Sequence, residues 1–375
     1  MSPVIQTLAD LVRINSVNSS YDGGPGERAI ATYVREFFEQ RGIEVWEQEV
    51  FPGRPNVIAR LPGFNPQRRV VLEAHTDTVS VQGMTIPPFD PVIRDGRMYG
   101  RGTCDTKAGL ATMMHALASL KEAGLTPPCE VLLAAVVDEE YSYRGVVRLC
   151  EDLRADAAIV AEPTELRAVI ATKGVLRCRL TVQGRSAHSS KPHLGINAIT
   201  QMARVIAAIE ENSQGLKSRQ HPLTGHGTCN IGVITGGVQV NFVPDRCSIE
   251  LDRRLLPGER AEDAVAAYRH LLTTLPDIQA TLDEPLLLVD EGLDTPPDDA
   301  VMQTAAQVLT AMGLDPAPGG VPFGCDASKL SRAGIPSIVF GPGSIDRAHT
   351  ADEYVELDQV EQAAEFQKRF LLAFT

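Results

Sequence analysis

Positive charge is in short supply in this 375-residue chain: 35 Lys and Arg stand against 48 Asp and Glu, a formal charge of −13. A surface of that sign repels polyanions, and no Lys/Arg run interrupts it, so nucleic acid and an anionic membrane are excluded as partners. Long apolar runs are missing too. None approaches the ~20 residues of a bilayer-spanning helix, and Met1–Asp10 lacks the basic-then-apolar order of a secretory leader. The seven cysteines (Cys104, Cys129, Cys150, Cys178, Cys229, Cys247 and Cys325) are odd in number and form no C-x-x-C pair. They read as reduced thiols of a cytoplasmic protein. No repeat or low-complexity segment is found. What is present is 43 % hydrophobic and 22 % charged residues, enough for a sizeable core. At ~100–200 residues per domain, the length predicts two domains.

The first part of the chain alternates helix and strand. Ser2-Pro3 reads as an N-cap and first helical position, opening a helix to about Arg13. Ile30, Tyr33, Val34, Phe37 and Phe38 form the stripe of an amphipathic helix between Glu27 and Arg41, stopped by Gly42. Strands are expected at Ile43–Val50, Asn56–Leu61, Val70–Ala74, Val131–Val137, Ala157–Ala161 and Ser337–Phe340, with a helix over Lys107–Ala123. Several of these strands are apolar without alternation, as in a sheet covered on both faces. An α/β sandwich around a mostly parallel sheet is predicted. From Val175 to Pro285 the order becomes β-α-β-β-α-β, the ferredoxin-like split unit. The economical reading is a discontinuous domain of residues 1–174 and 286–375, interrupted by an inserted α+β domain of residues 175–285.

Three segments put charge where a buried strand ends. Val70–Ala74 runs into His75-Thr76-Asp77, Val131–Val137 into Asp138-Glu139-Glu140, and Ala157–Ala161 into Glu162-Pro163-Thr164. Gly102-Thr103-Cys104-Asp105-Thr106-Lys107 leads into a helix, and Ala348-His349-Thr350 supplies a second histidine in a late polar loop. Ligands of open α/β sheets bind at the carboxyl ends of strands, because the loops converge there. Two histidines and three carboxylates suit a pair of Zn²⁺ ions. Asp77, two residues past His75, is placed to fix the tautomer of that ring. The adjacent Glu139 and Glu140 permit one to bind metal while the other acts as a base.

In their order along the chain, these five segments resemble the motifs of the co-catalytic zinc peptidases related to acetylornithine deacetylase and succinyl-diaminopimelate desuccinylase. The resemblance covers nearly the whole chain. It implies that Asp105 bridges two divalent metals, most simply Zn²⁺ with Co²⁺ or Mn²⁺ as substitutes. His75 and Glu162 would complete one site, Glu140 and His349 the other. Glu139 would be the general base and Asp77 the orienting acid. Glu rather than Asp at position 162 marks deacylases and carboxypeptidases in this family. The inserted domain resembles the family's lid. His188, in Gly184–Ser190, would reach a partner subunit's site and steady the oxyanion. Asn241 and Arg254 would grip the substrate carboxylate, for which a planar guanidinium is suited. Gly341-Pro342-Gly343 would form a tight turn at the pocket.

The resulting expectation is a cytoplasmic, homodimeric, metal-dependent hydrolase that cleaves the amide of an N-acyl amino acid through a water activated by Glu139. Three alternatives stand beside it: a peptidase acting on short peptides on the same scaffold, a catalytically silent binding protein, and a hydrolase using Cys104 as nucleophile. Arg253 competes with Arg254 for the carboxylate, and Asp326 has no assigned role.

Overall fold

The computed structural model describes all 375 residues. The chain opens with α1 (Pro3–Arg13) and α2 (Arg28–Glu39), then β1 (Glu44–Phe51), β2 (Arg54–Leu61) and β3 (Asn65–His75). Two short strands, β4 (Val92–Arg94) and β5 (Arg97–Tyr99), precede α3 (Lys107–Glu122). β6 (Cys129–Val136), α4 (Arg144–Cys150), β7 (Ala157–Val160) and β8 (Val169–Thr172) follow. The next stretch holds β9 (Gly174–Gln183), β10 (Ala187–His188), α5 (Ala198–Leu216), β11 (Gln220–His221), β12 (Gly225–His226) and β13 (Thr228–Gly236). It continues with β14 (Phe242–Val243), β15 (Arg246–Leu255), α6 (Ala261–Thr273), β16 (Gln279–Leu282) and β17 (Leu288–Asp290). The chain closes with α7 (Ala300–Ala311), β18 (Gly319–Val321), α8 (Ala327–Arg332), β19 (Ser337–Val339), β20 (Tyr354–Glu356) and α9 (Leu357–Ala373). No helix is long and apolar enough to cross a membrane.

Two compact units emerge. The first comprises Met1–Ile170, Thr295–Gly319 and Cys325–Thr375; the second comprises Ala171–Asp294 and Gly320–Gly324. Val175 and Pro285, the limits expected from the sequence, both fall inside the second unit. The first unit is built on an eight-stranded sheet of order β1-β2-β6-β3-β7-β19-β8-β18. Its middle is parallel: β3 pairs in parallel with both β6 and β7, and β19 in parallel with β7. β1 and β2 flank it antiparallel. Every residue of β6 and β7 is buried, and so are the last six of β3. That explains their unbroken apolar runs. Helices α1, α3 and α9 pack on one another beside the sheet, with α3 against β3. Gly109 of α3 lies so close to the end of β7 that a Cβ there would sit 2.5 Å from the Ala161 Cβ.

The second unit carries an antiparallel sheet of order β13-β15-β9-β16. With α5 after the first strand and α6 after the third, this is the ferredoxin-like arrangement. Leu176, Cys178, Leu180 and Val182 of β9 alternate inward against Met202, Val205 and Ile209 of α5. Asn197 caps α5 by accepting from the Thr200 N–H. β13 is an edge strand, and Val233, Ile234, Val238 and Val240 on it and just beyond it are exposed.

Candidate metal centre

Parallel strands that lie side by side deliver their C-terminal residues to one place. β6, β3 and β7 are neighbours, so Glu139-Glu140, His75 and Glu162 leave the sheet on the same edge. The loop before α3 adds Asp105, and the loop before β20 adds His349. The backbone is held out of its preferred regions at two of these points: Asp138 has φ 70° and His349 φ 61°. Non-glycine residues in the left-handed region are uncommon and cluster at functional loops. Gly341 lies against the Glu162 segment, where a Cβ would come 2.6 Å from the Glu162 carbonyl oxygen.

Asp105 stands between the two rings. Its Oδ1 is 3.0 Å from His75 Nε2 and its Oδ2 is 3.1 Å from His349 Nε2. His349 Nε2 is also 3.1 Å from Glu140 Oε1, and His75 Nε2 is 4.0 Å from Glu162 Oε1. Two triads result, His75–Asp105–Glu162 and Asp105–Glu140–His349, with the ligating atoms of each within 4.8 Å of one another. Glu139 belongs to neither.

The expected pairing of Asp77 with His75 takes a different form. His75 Nδ1 donates to the Asp77 carbonyl oxygen at 3.0 Å, while the carboxylate Oδ1 stays 3.7 Å away. That carboxylate instead accepts the backbone N–H groups of Glu139 and Glu140, each at 3.1 Å, and the Asn18 amide at 2.8 Å. With Nδ1 carrying the hydrogen, Nε2 faces the acids, the tautomer a ligating histidine needs.

Burial and mutual repulsion dominate the electrostatics. Burial raises the Glu139 and Glu162 carboxyls well above the usual range, and neighbouring acids add to the effect. Burial and the Asp105 charge push Glu140 up to about 7. Burial works to raise Asp105 as well, but hydrogen bonds to His349 and His75 win and hold it below the carboxylate range. Burial would lower His75, yet its bond to Asp105 and the surrounding acids raise it well above an ordinary imidazole. Bonds to Asp105 and Glu140 raise His349 to about 10. The cluster therefore favours cationic partners for its acids. Its donors are imidazole nitrogen and carboxylate oxygen, the set that Zn²⁺ and similar divalent ions accept. Two triads sharing one carboxylate fit two such ions.

Residues 71–373 match the sequence model of peptidase family M20/M25/M40. The chain belongs to this family. It is an enzyme, a metallohydrolase of the M20 type. Aminopeptidase PepT from Bacillus cereus ATCC 10987 is 25% identical, with a TM-score of 0.82 over 99% of this chain and 98% of PepT. The M20 metallo-carboxypeptidase Sso-CP2 from Sulfolobus solfataricus shares the fold at 19% identity, with a TM-score of 0.78 over 100% and 99% of the two chains. So does Bacillus subtilis YXEP, a dinuclear metal binding peptidase, at 16% identity and a TM-score of 0.73 over 98% and 96%.

In the second unit of this M20 enzyme, the candidate substrate residues fall into two groups. β10 pairs with β14, and the Ser189 N–H donates to the Asn241 carbonyl, so His188 and Asn241 are neighbours. Both are exposed. Arg254 is near the other end of β15, opposite Thr228 and Val175. The Gly184 N–H bonds to Asp245, which ties the His188 segment to the Arg246 end of that strand. Eight residues from Arg246 to Arg254 at ~3.4 Å each separate the groups by about 27 Å along the sheet. The structure does not bring Arg254 to His188 and Asn241 within one subunit. Arg253 is 5 % exposed and is engaged by Glu259 at 2.8 Å and by the Arg254 carbonyl. Arg254 is more open and pairs with Asp252 through Nε at 2.8 Å. Burial and the charges of Arg254 and Arg253 lower the nearby Lys173 ammonium.

Several supporting residues were not anticipated from the sequence. Asn18 bridges Asp77 and Asp138. Arg54 pairs with buried Glu27 through two 2.6 Å bonds and reaches Asp138 at 3.1 Å. Asp326 lies beside Glu73; both are fully buried, and burial raises Glu73 well above its ordinary value and Asp326 to about 6. Of these, Asp138 follows an apolar strand end and Asp326 stood out in the sequence without a role; no sequence signal gave Asn18, Glu27, Arg54 or Glu73 a part in the site. Cys104 is buried, its thiol is raised well above its ordinary value by burial, and its Sγ donates to the Ser344 carbonyl. A thiol so placed is not an activated nucleophile.

Proposed function

We propose that this M20 enzyme hydrolyses the amide bond of a small N-acylated amino acid, in the manner of acetylornithine deacetylase and succinyl-diaminopimelate desuccinylase. The observation that carries the reading is the shared carboxylate of Asp105 between two N/O triads, with the buried acid Glu139 beside them and unused by either. His75, Asp105 and Glu162 would hold one Zn²⁺, and Asp105, Glu140 and His349 a second. Bound there, the ions would polarise the scissile carbonyl and make a water acidic.

The chain's own groups supply the rest. Asp77, through the backbone N–H groups of Glu139 and Glu140, holds that loop in place. The Glu139 carboxylate takes a proton from the attacking water and later gives it to the leaving amine. Arg254 receives the substrate carboxylate, and Lys173 adds positive charge to the same region. His188 donates to the developing oxyanion, with Asn241 beside it. Because His188 and Asn241 lie about 27 Å from Arg254 along the sheet, their joint action on one small substrate calls for a second copy of the chain. The exposed apolar edge at β13 supports a homodimer formed through this unit.

Hydrolysis of a short peptide is the second reading. It is favoured by the likeness to PepT, described as an aminopeptidase. A panel of N-acetyl and N-succinyl amino acids, dipeptides and tripeptides, assayed with Zn²⁺-loaded enzyme, separates them. Preferred turnover of the N-acyl amino acids supports the deacylase; preferred turnover of peptides replaces it with the peptidase.

A further inference from the structure

Glu353 lies four residues beyond His349 and is completely buried. A buried carboxylate is costly unless each oxygen finds a partner, and here both do. Oε1 accepts two successive backbone N–H groups, from Cys104 at 2.9 Å and Asp105 at 3.1 Å. Oε2 accepts from Arg101 Nη1 at 2.6 Å, and Arg101 is itself 2 % exposed. The Glu353 carbonyl adds a fourth bond, from the Gly100 N–H at 3.0 Å. Just beyond it, β20 pairs with β5 through Tyr354 and Tyr99. The chain from Glu353 to Glu356 is thus joined to the segment from Arg97 to Asp105 at both of its ends.

We propose that Glu353 is a positioning residue that sets the carboxylate of Asp105 between His75 and His349 and locks together the two loops carrying Asp105 and His349. The proposal rests on reading Asp105 as the shared metal ligand. An ion pair with Arg101 alone would need only one oxygen. The other oxygen grips the peptide N–H of Asp105 itself, which fixes where that residue leaves the backbone. Its side chain must meet both rings, at 3.0 and 3.1 Å, so a shift of the loop by a fraction of an ångström opens both triads together. Partners of this kind typically hold 10–100-fold in metal affinity or activity.

The experiment titrates metal-stripped protein with Zn²⁺ by calorimetry and follows steady-state kinetics on the best substrate of the panel. Wild type should take up two ions. Glu353→Gln keeps the shape but must turn an NH₂ group toward either Arg101 or the two N–H groups. It should bind both ions about 10–100-fold more weakly and lose a similar factor in kcat, with KM within about twofold. Arg101→Met removes the ion pair but leaves Oε1 on the two N–H groups. It should melt at lower temperature yet keep its Zn²⁺ affinity within about threefold. Should Glu353→Gln not fold, Glu353→Asp, which retains the charge and withdraws it by one methylene, is expected to show the same loss of affinity. Wild-type affinity and kcat in the folded Glu353 variant, or an equal loss of affinity in Arg101→Met, overturns the proposal. A wild-type protein that takes up no metal overturns the metal reading instead.

Discussion

The Asp77 carboxylate accepts the backbone N–H of Glu139 at 3.1 Å. The acid that follows one strand therefore anchors the loop that follows the next, and the ring of His75 is fixed by the Asp77 carbonyl instead. Position in the sequence suggested the histidine because it is two residues away. Adjacency of β3 and β6 in the sheet supplies the nearer partners.

Replacing Asp77 by Asn tests that role. One oxygen still accepts, but the new NH₂ faces a backbone donor, Glu139 or Glu140. We expect kcat/KM to fall about 10–100-fold with the protein folded. Unchanged kinetics would show that the loop needs no such anchor.

Glu139→Gln removes the proposed proton carrier while leaving both triads intact. Two Zn²⁺ per chain should remain by elemental analysis, and kcat should drop at least about 10²-fold, the usual contribution of a general base. Turnover near wild type would sink the assignment.

The metal-free protein should lose stability as pH rises. Glu140 is raised from 4.5 to about 7, chiefly by burial, and His349 from 6.5 to about 10, chiefly by its bond to Asp105. Both folded pKa values lie above the unfolded ones. Their contribution to stability is complete below 4.5 and 6.5 respectively, and is lost as pH climbs through about 7 and about 10. The Tm of stripped protein should fall between pH 5 and 7, below the range in which buried Lys107, lowered to about 7, gains stability by losing its proton, while Zn²⁺ affinity rises as the competing protons leave. A Tm that holds or rises over this interval contradicts the arrangement.

Mixing is the test of the second unit. His188→Ala and Arg254→Ala should each be nearly inactive alone and regain activity when reassociated together, since one subunit of each mixed pair then offers Arg254 and the other His188. No recovery, with mixed dimers demonstrated, places both residues at the service of one subunit.

Gly109→Ala separates propensity from packing. Alanine in place of glycine gains about 0.5–1 kcal/mol in a helix interior, but its Cβ would sit 2.5 Å from the Ala161 Cβ. Overpacking costs about 1–3 kcal/mol, so packing wins and Tm should drop. A raised Tm would show that α3 yields freely.

Much of this protein was fixed locally. Unbroken apolar strands, each ending in charge, marked the parallel sheet and the edge where His75, Glu139, Glu140 and Glu162 gather, because covered strands and converging loops follow from hydrophobic pattern alone. The β-α-β-β-α-β order of elements likewise marked the second unit. The three-residue strands β4, β5 and β20 left no periodic trace, so the seam they form, and Glu353 within it, lay outside what pattern could reveal. Which backbone donor Asp77 takes, which oxygen of Asp105 faces which ring, and that Arg254 lies a sheet's length from His188 were decided only by tertiary structure. Those are relations between segments far apart in the chain, and strand order and register, not the residues' neighbours in sequence, set them.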